Sequence, residues 1–254
     1  MKNTVLAIVL AGAFVLTLST AQGLFAAGGQ EVLDKVEDTL TAPKDMEALF
    51  EMTLGNVPDQ GGQEKRTLKI WTMGKNKRVV KFITPSSINN VGVLALNDEE
   101  MYVYLPAYQK SRRIQGDMRD SDFQGTDFSY REMGSYNYSK DYEPSIVSED
   151  KDSIVLNLAK KASSDVPYDK LVMTVDKSNY LPKTVDMYAG GVKKKELTVL
   201  ESEKKGDYWT FKKIRMENFI IKHYTEIAMK ETAFDQDLDG KGVFTQRFLK
   251  EYVK

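Results

Sequence analysis

Arg66-Thr67-Leu68-Lys69-Ile70-Trp71-Thr72-Met73, the turn Gly74-Lys75-Asn76, and Arg78-Val79-Val80-Lys81-Phe82-Ile83 decide the fold. Apolar residues fall at every second position, Leu68 and Ile70 and then Val80 and Phe82, with Lys69 and Lys81 between them. That period belongs to a strand with one face buried, and the Gly-Lys-Asn between the two runs is a turn. The pattern continues upstream, where Ala48, Phe50, Met52 and Leu54 alternate with Leu49, Glu51 and Thr53. Pro58-Asp59-Gln60-Gly61-Gly62 is the turn between that run and the next. Downstream, Val91 to Leu96, then Asn97-Asp98-Glu99, then Met101 to Leu105 read as a further hairpin. Five consecutive antiparallel strands are expected from this half.

The alternation resumes at Ser153–Ala159, Lys170–Val175, Thr184–Tyr188, Lys195–Ser202, Tyr208–Met216 and His223–Ala228. Residues 106–143 interrupt it with Arg, Asp, Ser, Gly and Tyr in no sustained period. A long irregular segment inside a compact domain is usually functional or packs as a lid. Two helices flank the strands: Glu31–Ala42, with Val32, Leu33, Val36 and Leu40 at helical spacing, and Phe244–Val253. The expectation is a mainly β (α+β) domain, one large curved antiparallel sheet of about eleven strands covered by a few helices.

The start of the chain reads as an address. Lys2 precedes the apolar run Val5–Leu16, and small residues follow through Gly29. Basic start, apolar stretch and small-residue end describe a secretory signal, too short to span a bilayer as an anchor. Residues 1–27 are therefore expected to be a removed signal peptide, residues 28–254 a single domain, and the periplasm its place.

Composition then excludes much chemistry. Lys and Arg number 36 against 37 Asp and Glu, so the net charge of −1 gives no basic excess for nucleic acid. Without cysteine there is no disulfide, thiolate metal site, thiol nucleophile or lipidated N-terminal cysteine. One histidine leaves little for a triad or a multi-histidine metal site. No cofactor is expected.

A wide sheet with one apolar face and few helices to cover it retains an apolar cavity on its concave side. Inward candidates are Phe50, Met52, Leu68, Ile70, Val80, Phe82 and Val93, with Tyr102 and Tyr104 near the rim. Ile154, Leu156, Leu158, Leu171 and Met173 show the same alternation in the second half. For each of them ordinary core is the competing reading. Arg112-Arg113, close to Asp117, Arg119, Asp120, Asp122 and Asp127, reads either as a charge network latching the irregular segment over the cavity mouth or as a solvated loop. Asp235-Gln236-Asp237-Leu238-Asp239-Gly240 opens like a calcium loop, but Gln246 stands where a bidentate Glu is needed, and a polar turn is expected instead. His223 has no Gly-x-Ser-x-Gly elbow beside it and reads as structural. Lys193-Lys194-Lys195 and Lys204-Lys205 read as hairpin ends or weak headgroup contacts.

One block carries a resemblance. Val91-Gly92-Val93-Leu94-Ala95-Leu96 leads to Met101-Tyr102-Val103-Tyr104-Leu105-Pro106-Ala107, then Arg112-Arg113-Ile114 and Gly116, then Phe123-Gln124-Gly125-Thr126-Asp127-Phe128-Ser129-Tyr130. This order resembles the outer-membrane lipoprotein-sorting protein family, relatives of the carrier LolA, and Phe244–Leu249 resembles that family's closing segment. The resemblance implies a half-open LolA/LolB-like β-barrel closed by helices, a cavity for acyl chains, and no catalysis. It implies carriage of a lipid or acylated lipoprotein between inner and outer membranes, with transient membrane contact. An inner-membrane exporter, of the ABC or resistance-nodulation type, and an outer-membrane acceptor are the implied partners. Arg112, Arg113 and Asp127 carry over as motif positions. A ligand-responsive sensor on the same scaffold is the alternative, and a lipid hydrolase a distant third.

Overall fold

The computed structural model describes residues 19–57, 62–134 and 137–253; residues 1–18 of the expected leader lie outside them. One antiparallel sheet of 13 strands organises the chain, in the order β6-β5-β4-β3-β2-β1-β13-β12-β11-β10-β9-β8-β7. The first six strands are β1 (Met46–Asn56), β2 (Glu64–Met73), β3 (Lys77–Thr84), β4 (Gly92–Ala95), β5 (Met101–Leu105) and β6 (Lys110–Ile114). The rest are β7 (Tyr142–Glu149), β8 (Ser153–Lys160), β9 (Lys170–Asp176), β10 (Pro182–Ala189), β11 (Val192–Lys205), β12 (Tyr208–Asn218) and β13 (His223–Phe234). Consecutive strands pair throughout except β6 with β7, and β13 returns to β1, which joins the two halves. The sheet does not close, and β6 and β7 are its two edges.

Thirteen strands replace the expected eleven. The additional two are the edges, which lie at the ends of the stretch read as irregular. An edge strand has less apolar surface to bury, so its sequence alternates weakly. Lys110-Ser111-Arg112-Arg113-Ile114 buries Ile114 alone, and β7 carries Pro144, which edges tolerate.

Alternation sorts side chains onto two faces. On β2 to β5, Leu68, Val80, Phe82, Val93, Ala95, Met101 and Val103 enter the concave-side core. Their neighbours Trp71, Val79, Leu94 and Tyr104 enter a second, smaller core on the other side. That convex core is covered by residues 235–253, including α4 (Gln246–Lys250), and Trp71 meets Phe248 edge-on at 5.1 Å. Asp45 anchors the covering segment by accepting from the amides of Gln236 (2.7 Å) and Leu238 (2.9 Å). The carboxylates of the calcium-like stretch serve the turn and its neighbours. Asp235 accepts from Tyr208 and from the Lys44 amide, and Asp239 pairs with Lys77.

On the concave side α1 (Ser19–Leu40) lays Leu33 and Val36, both fully buried, into the main core. It reaches β7 at close range: a Cβ on Gly29 would stand 2.9 Å from the Pro144 carbonyl oxygen. The segment between the sheet edges carries α2 (Tyr130–Gly134) and α3 (Tyr138–Asp141). α2 opens with a reciprocal cap. The Ser129 amide donates to Glu132 (2.6 Å), and the Glu132 amide donates to the Ser129 hydroxyl (3.1 Å).

Candidate functional site

The sheet and its cover do not meet everywhere. Between them lies a cavity of about 210 Å³, continuous with solvent. Its floor is built by one residue or two from most of the central strands: Phe50, Ile70, Leu171, Met187, Leu197 and Met216. Leu40 of α1, Met133 of α2, and Tyr138, Tyr142 and Tyr168 form the roof. At one end Met46, Trp209, Phe211 and Phe234 are only half-buried, and the wall there is aromatic.

Register breaks create that aromatic end. On β12, Ile214 pairs with Val199 and Lys213 with Glu201, but Phe211 pairs with Ser202, leaving Lys212 as an extra residue. An extra residue shifts the alternation by one. Trp209 and Phe211 thus continue the row of Ile214 and Met216. On β13, Met229 pairs with Phe50 and Glu231 with Leu49, so Lys230 is the extra residue, and Phe234 joins the cavity wall.

Among the residues singled out from the sequence, Phe50, Ile70 and Leu171 line this cavity. Met52, Leu68, Val80, Phe82, Val93, Ile154, Leu156, Leu158 and Met173 are packed core, at most 5% exposed. Phe82 stacks on Phe123 at 5.2 Å, which in turn meets Tyr130 edge-on at 5.3 Å, so this end of the concavity is filled. Tyr102 and Tyr104 are not at the rim. They point to the convex face beneath α4, the opposite parity from Met101 and Val103.

A charge network does hold the irregular segment. Arg131 grips Asp120 with Nε (2.6 Å) and Nη2 (3.2 Å), and reaches Asp165 of the β8–β9 loop with Nη1 (3.1 Å). Arg119 also binds Asp165 and donates to the Asp98 carbonyl (3.2 Å), while Lys140 pairs with Asp98 (2.8 Å). The segment is therefore tied to both halves of the sheet. Arg112 and Arg113 stand outside this network. Their strand is the outermost one, so Arg112 lies over the exposed Tyr108 ring (5.4 Å) and Arg113 donates to the Glu99 carbonyl (3.3 Å).

Asp127 pins the segment from beneath. It is 1% exposed; its Oδ2 accepts from Thr225 Oγ1 (2.7 Å) and stands 2.7 Å from His223 Nδ1. The Asp127 carbonyl accepts from Lys195 (2.7 Å), whose ammonium also meets Glu132 (3.3 Å). Glu132 accepts from the Tyr168 hydroxyl (2.9 Å) at the cavity wall. Burial, with Glu132 beside it, pushes the Tyr168 phenol well above its usual value and keeps it a donor. Among the described residues no cluster of three or more His, Asp or Glu is placed to hold a metal ion. No described helix is long and apolar enough to cross a membrane.

The matching family model covers residues 74–251, more than half of the chain, and bears the description "uncharacterized protein"-like. The chain belongs to that family. Its fold is LolA-like, as three solved structures show. A structure described as an outer membrane lipoprotein-sorting protein domain from Vibrio parahaemolyticus aligns with TM-score 0.80 at 23% identity, covering 89% of this chain and 100% of that one. A DUF1329 family protein from Desulfovibrio piger gives TM-score 0.78 at 22% identity, over 87% of this chain and 98% of that one. A LolA superfamily protein from Nitrosomonas europaea gives 0.70 at 16% identity, over 87% and 98%. Comparison with curated protein sequences yields no match.

Sequence reasoning missed Trp209, Phe211 and Phe234 because nothing in a sequence marks a bulge. It also passed over Ser129-x-x-Glu132, a signal that was present: a serine followed three residues later by a glutamate is a helix start.

Proposed function

We propose that this protein is a periplasmic carrier. It takes the acyl chain of a lipid or lipid-modified protein into the concave cavity, shields it, and releases it to an acceptor. The observation that carries this reading is a cavity with an apolar floor of Phe50, Ile70, Leu171 and Met187 and an aromatic open end at Trp209 and Phe211. Acyl burial there is favoured by roughly 25 cal/mol per Å² of apolar surface removed from water. Carriage demands that the chain also leave, and a wall that stays half-open provides the exit.

In this reading residues 1–27 direct export and are removed, and residues 28–254 are the carrier domain. An inner-membrane exporter of the ABC or resistance-nodulation type hands over the cargo, and an outer-membrane site accepts it. In this reading the protein performs no catalysis, and His223 serves as the structural partner of Asp127 (2.7 Å).

Native mass spectrometry of the protein purified from its own envelope, followed by organic extraction, tests the proposal. A stoichiometric lipid or acylated peptide is expected. An empty protein that also refuses added fatty acyl chains would overturn it.

A further inference from the structure

Nine large apolar side chains are exposed among the described residues, and four of them sit on two adjoining turns. Phe219, Ile220 and Ile221, 39%, 57% and 59% exposed, form the β12–β13 turn, and Val192, 51% exposed, leaves the β10–β11 turn beside it. The two turns are joined, since Lys195 pairs with Asn218 and the Phe219 amide donates to the Lys194 carbonyl (3.0 Å). Isolated apolar residues on a surface need no explanation, but a contiguous set does.

The backbone holds these side chains outward. Asn218 Oδ1 accepts from the amides of Ile220 (3.1 Å) and Ile221 (3.4 Å), which fixes the turn from within. Lys222 closes it in the left-handed region (φ 54°), and its carbonyl accepts from the Val57 amide (2.7 Å). A turn so braced does not fold its apolar residues back onto the sheet.

Cations surround the tip. Lys193 lies over the Phe219 ring (5.1 Å) and is neutralised by Asp186 and Glu196. Lys194 and Lys222 flank the tip as well, and among the described residues neither takes part in an ion pair. A protruding apolar tip flanked by lysines suits a bilayer interface, with apolar side chains at the acyl boundary and ammonium groups at the phosphates.

We propose that the start of β11, Val192–Lys194, and the adjoining turn Phe219–Lys222 dock the protein onto an anionic phospholipid bilayer. This goes beyond the carrier reading and does not depend on it. Trp209 and Phe211 of the cavity wall lie near the start of β12, whereas the docking turns lie past Asn218 at its other end.

Flotation with phosphatidylcholine vesicles, with and without phosphatidylglycerol, tests it on the purified protein. Binding is expected only where phosphatidylglycerol is present, and it should weaken with salt. Replacing Phe219, Ile220 and Ile221 together by Ser should cost at least roughly tenfold in partitioning. Lys194→Glu with Lys222→Glu should cost a similar factor, roughly tenfold, on the anionic vesicles alone. All replaced side chains except Phe219 are more than half exposed or lie at turn ends, and an unchanged melting temperature will verify folding. Failure of the wild type to float, or equal flotation of the serine variant, overturns the proposal. So does a dimer in sedimentation that the serine variant loses, since the occupant would then be a second copy. Uptake of a fluorescent fatty acid, measured on the same variants, should be unchanged, which separates this surface from the cavity.

Discussion

Lys81 sits at an outward-facing position of β3, yet it is fully buried under the C-terminal segment, where it donates to the carbonyls of Phe248 (3.2 Å) and Glu251. Burial lowers its pKa from 10.5 to about 8, against the pull of Glu251. Between those values the unfolded chain keeps a proton that the folded chain has given up. Stability therefore rises as pH climbs from about 8 towards 10.5, and that gain is lost as pH falls through 8. Melting followed from pH 7 to below pH 10 should slope upward in the wild type and flatten in Lys81→Met. Above pH 10 buried Tyr142 and Tyr168, whose phenols are raised by burial, work in the opposite direction. Ile70 and Phe82 make a second contrast at this scale. Both read as inward from the alternation, but Ile70 faces the cavity and Phe82 faces Phe123. Ile70→Glu should leave the fold intact and abolish acyl-chain uptake in a fluorescence binding assay. Phe82→Ala should instead cost about 3–5 kcal/mol in denaturant unfolding, the usual price of an aromatic removed from a packed core.

At the scale of elements, the cover is held by a few polar contacts. Glu37 of α1 is fully buried and accepts from the Ser139 amide, the Ser139 hydroxyl and Lys75, each at 2.7 Å. It ties α1 to α3 and to the β2–β3 turn. Glu37→Ala removes three charge-assisted bonds, so a loss of about 2 kcal/mol or more is expected, with faster hydrogen exchange at the Ser139 amide. Arg131→Ala should release the latch at Asp120 and Asp165 and speed both loading and loss of a fluorescent fatty acid in stopped-flow traces. Equal rates would show that the latch does not gate the cavity. The strands of β2 and β3 were legible because each buries a full face. The edges β6 and β7 were not, because a strand with one neighbour has too little apolar surface to write a period into its sequence.

For the whole molecule, the consequence of 13 strands against so few helices is unfilled space on the concave side. A ligand that occupies it binds the folded chain alone and must stabilise it. At a hundredfold excess over its Kd an acyl ligand should add about 2.7 kcal/mol to unfolding, measurable as a rise in melting temperature that Ile70→Glu abolishes.

The residues by themselves determined a single curved antiparallel sheet, a helix ahead of its strands and an irregular segment between its two halves. These follow from local periods and turn chemistry, which any stretch carries within itself. Tertiary structure alone decided which inward residues line open space and which are packed. That division depends on what stands opposite: Phe82 has Phe123 across from it, while Ile70 faces the cavity. It also decided that Trp209 and Phe211 face inward, because the extra residue at Lys212 appears only when β12 is set against β11. Burial of Asp127 against His223, nearly a hundred residues away, is of the same kind, a contact made by sheet order and absent from any local pattern.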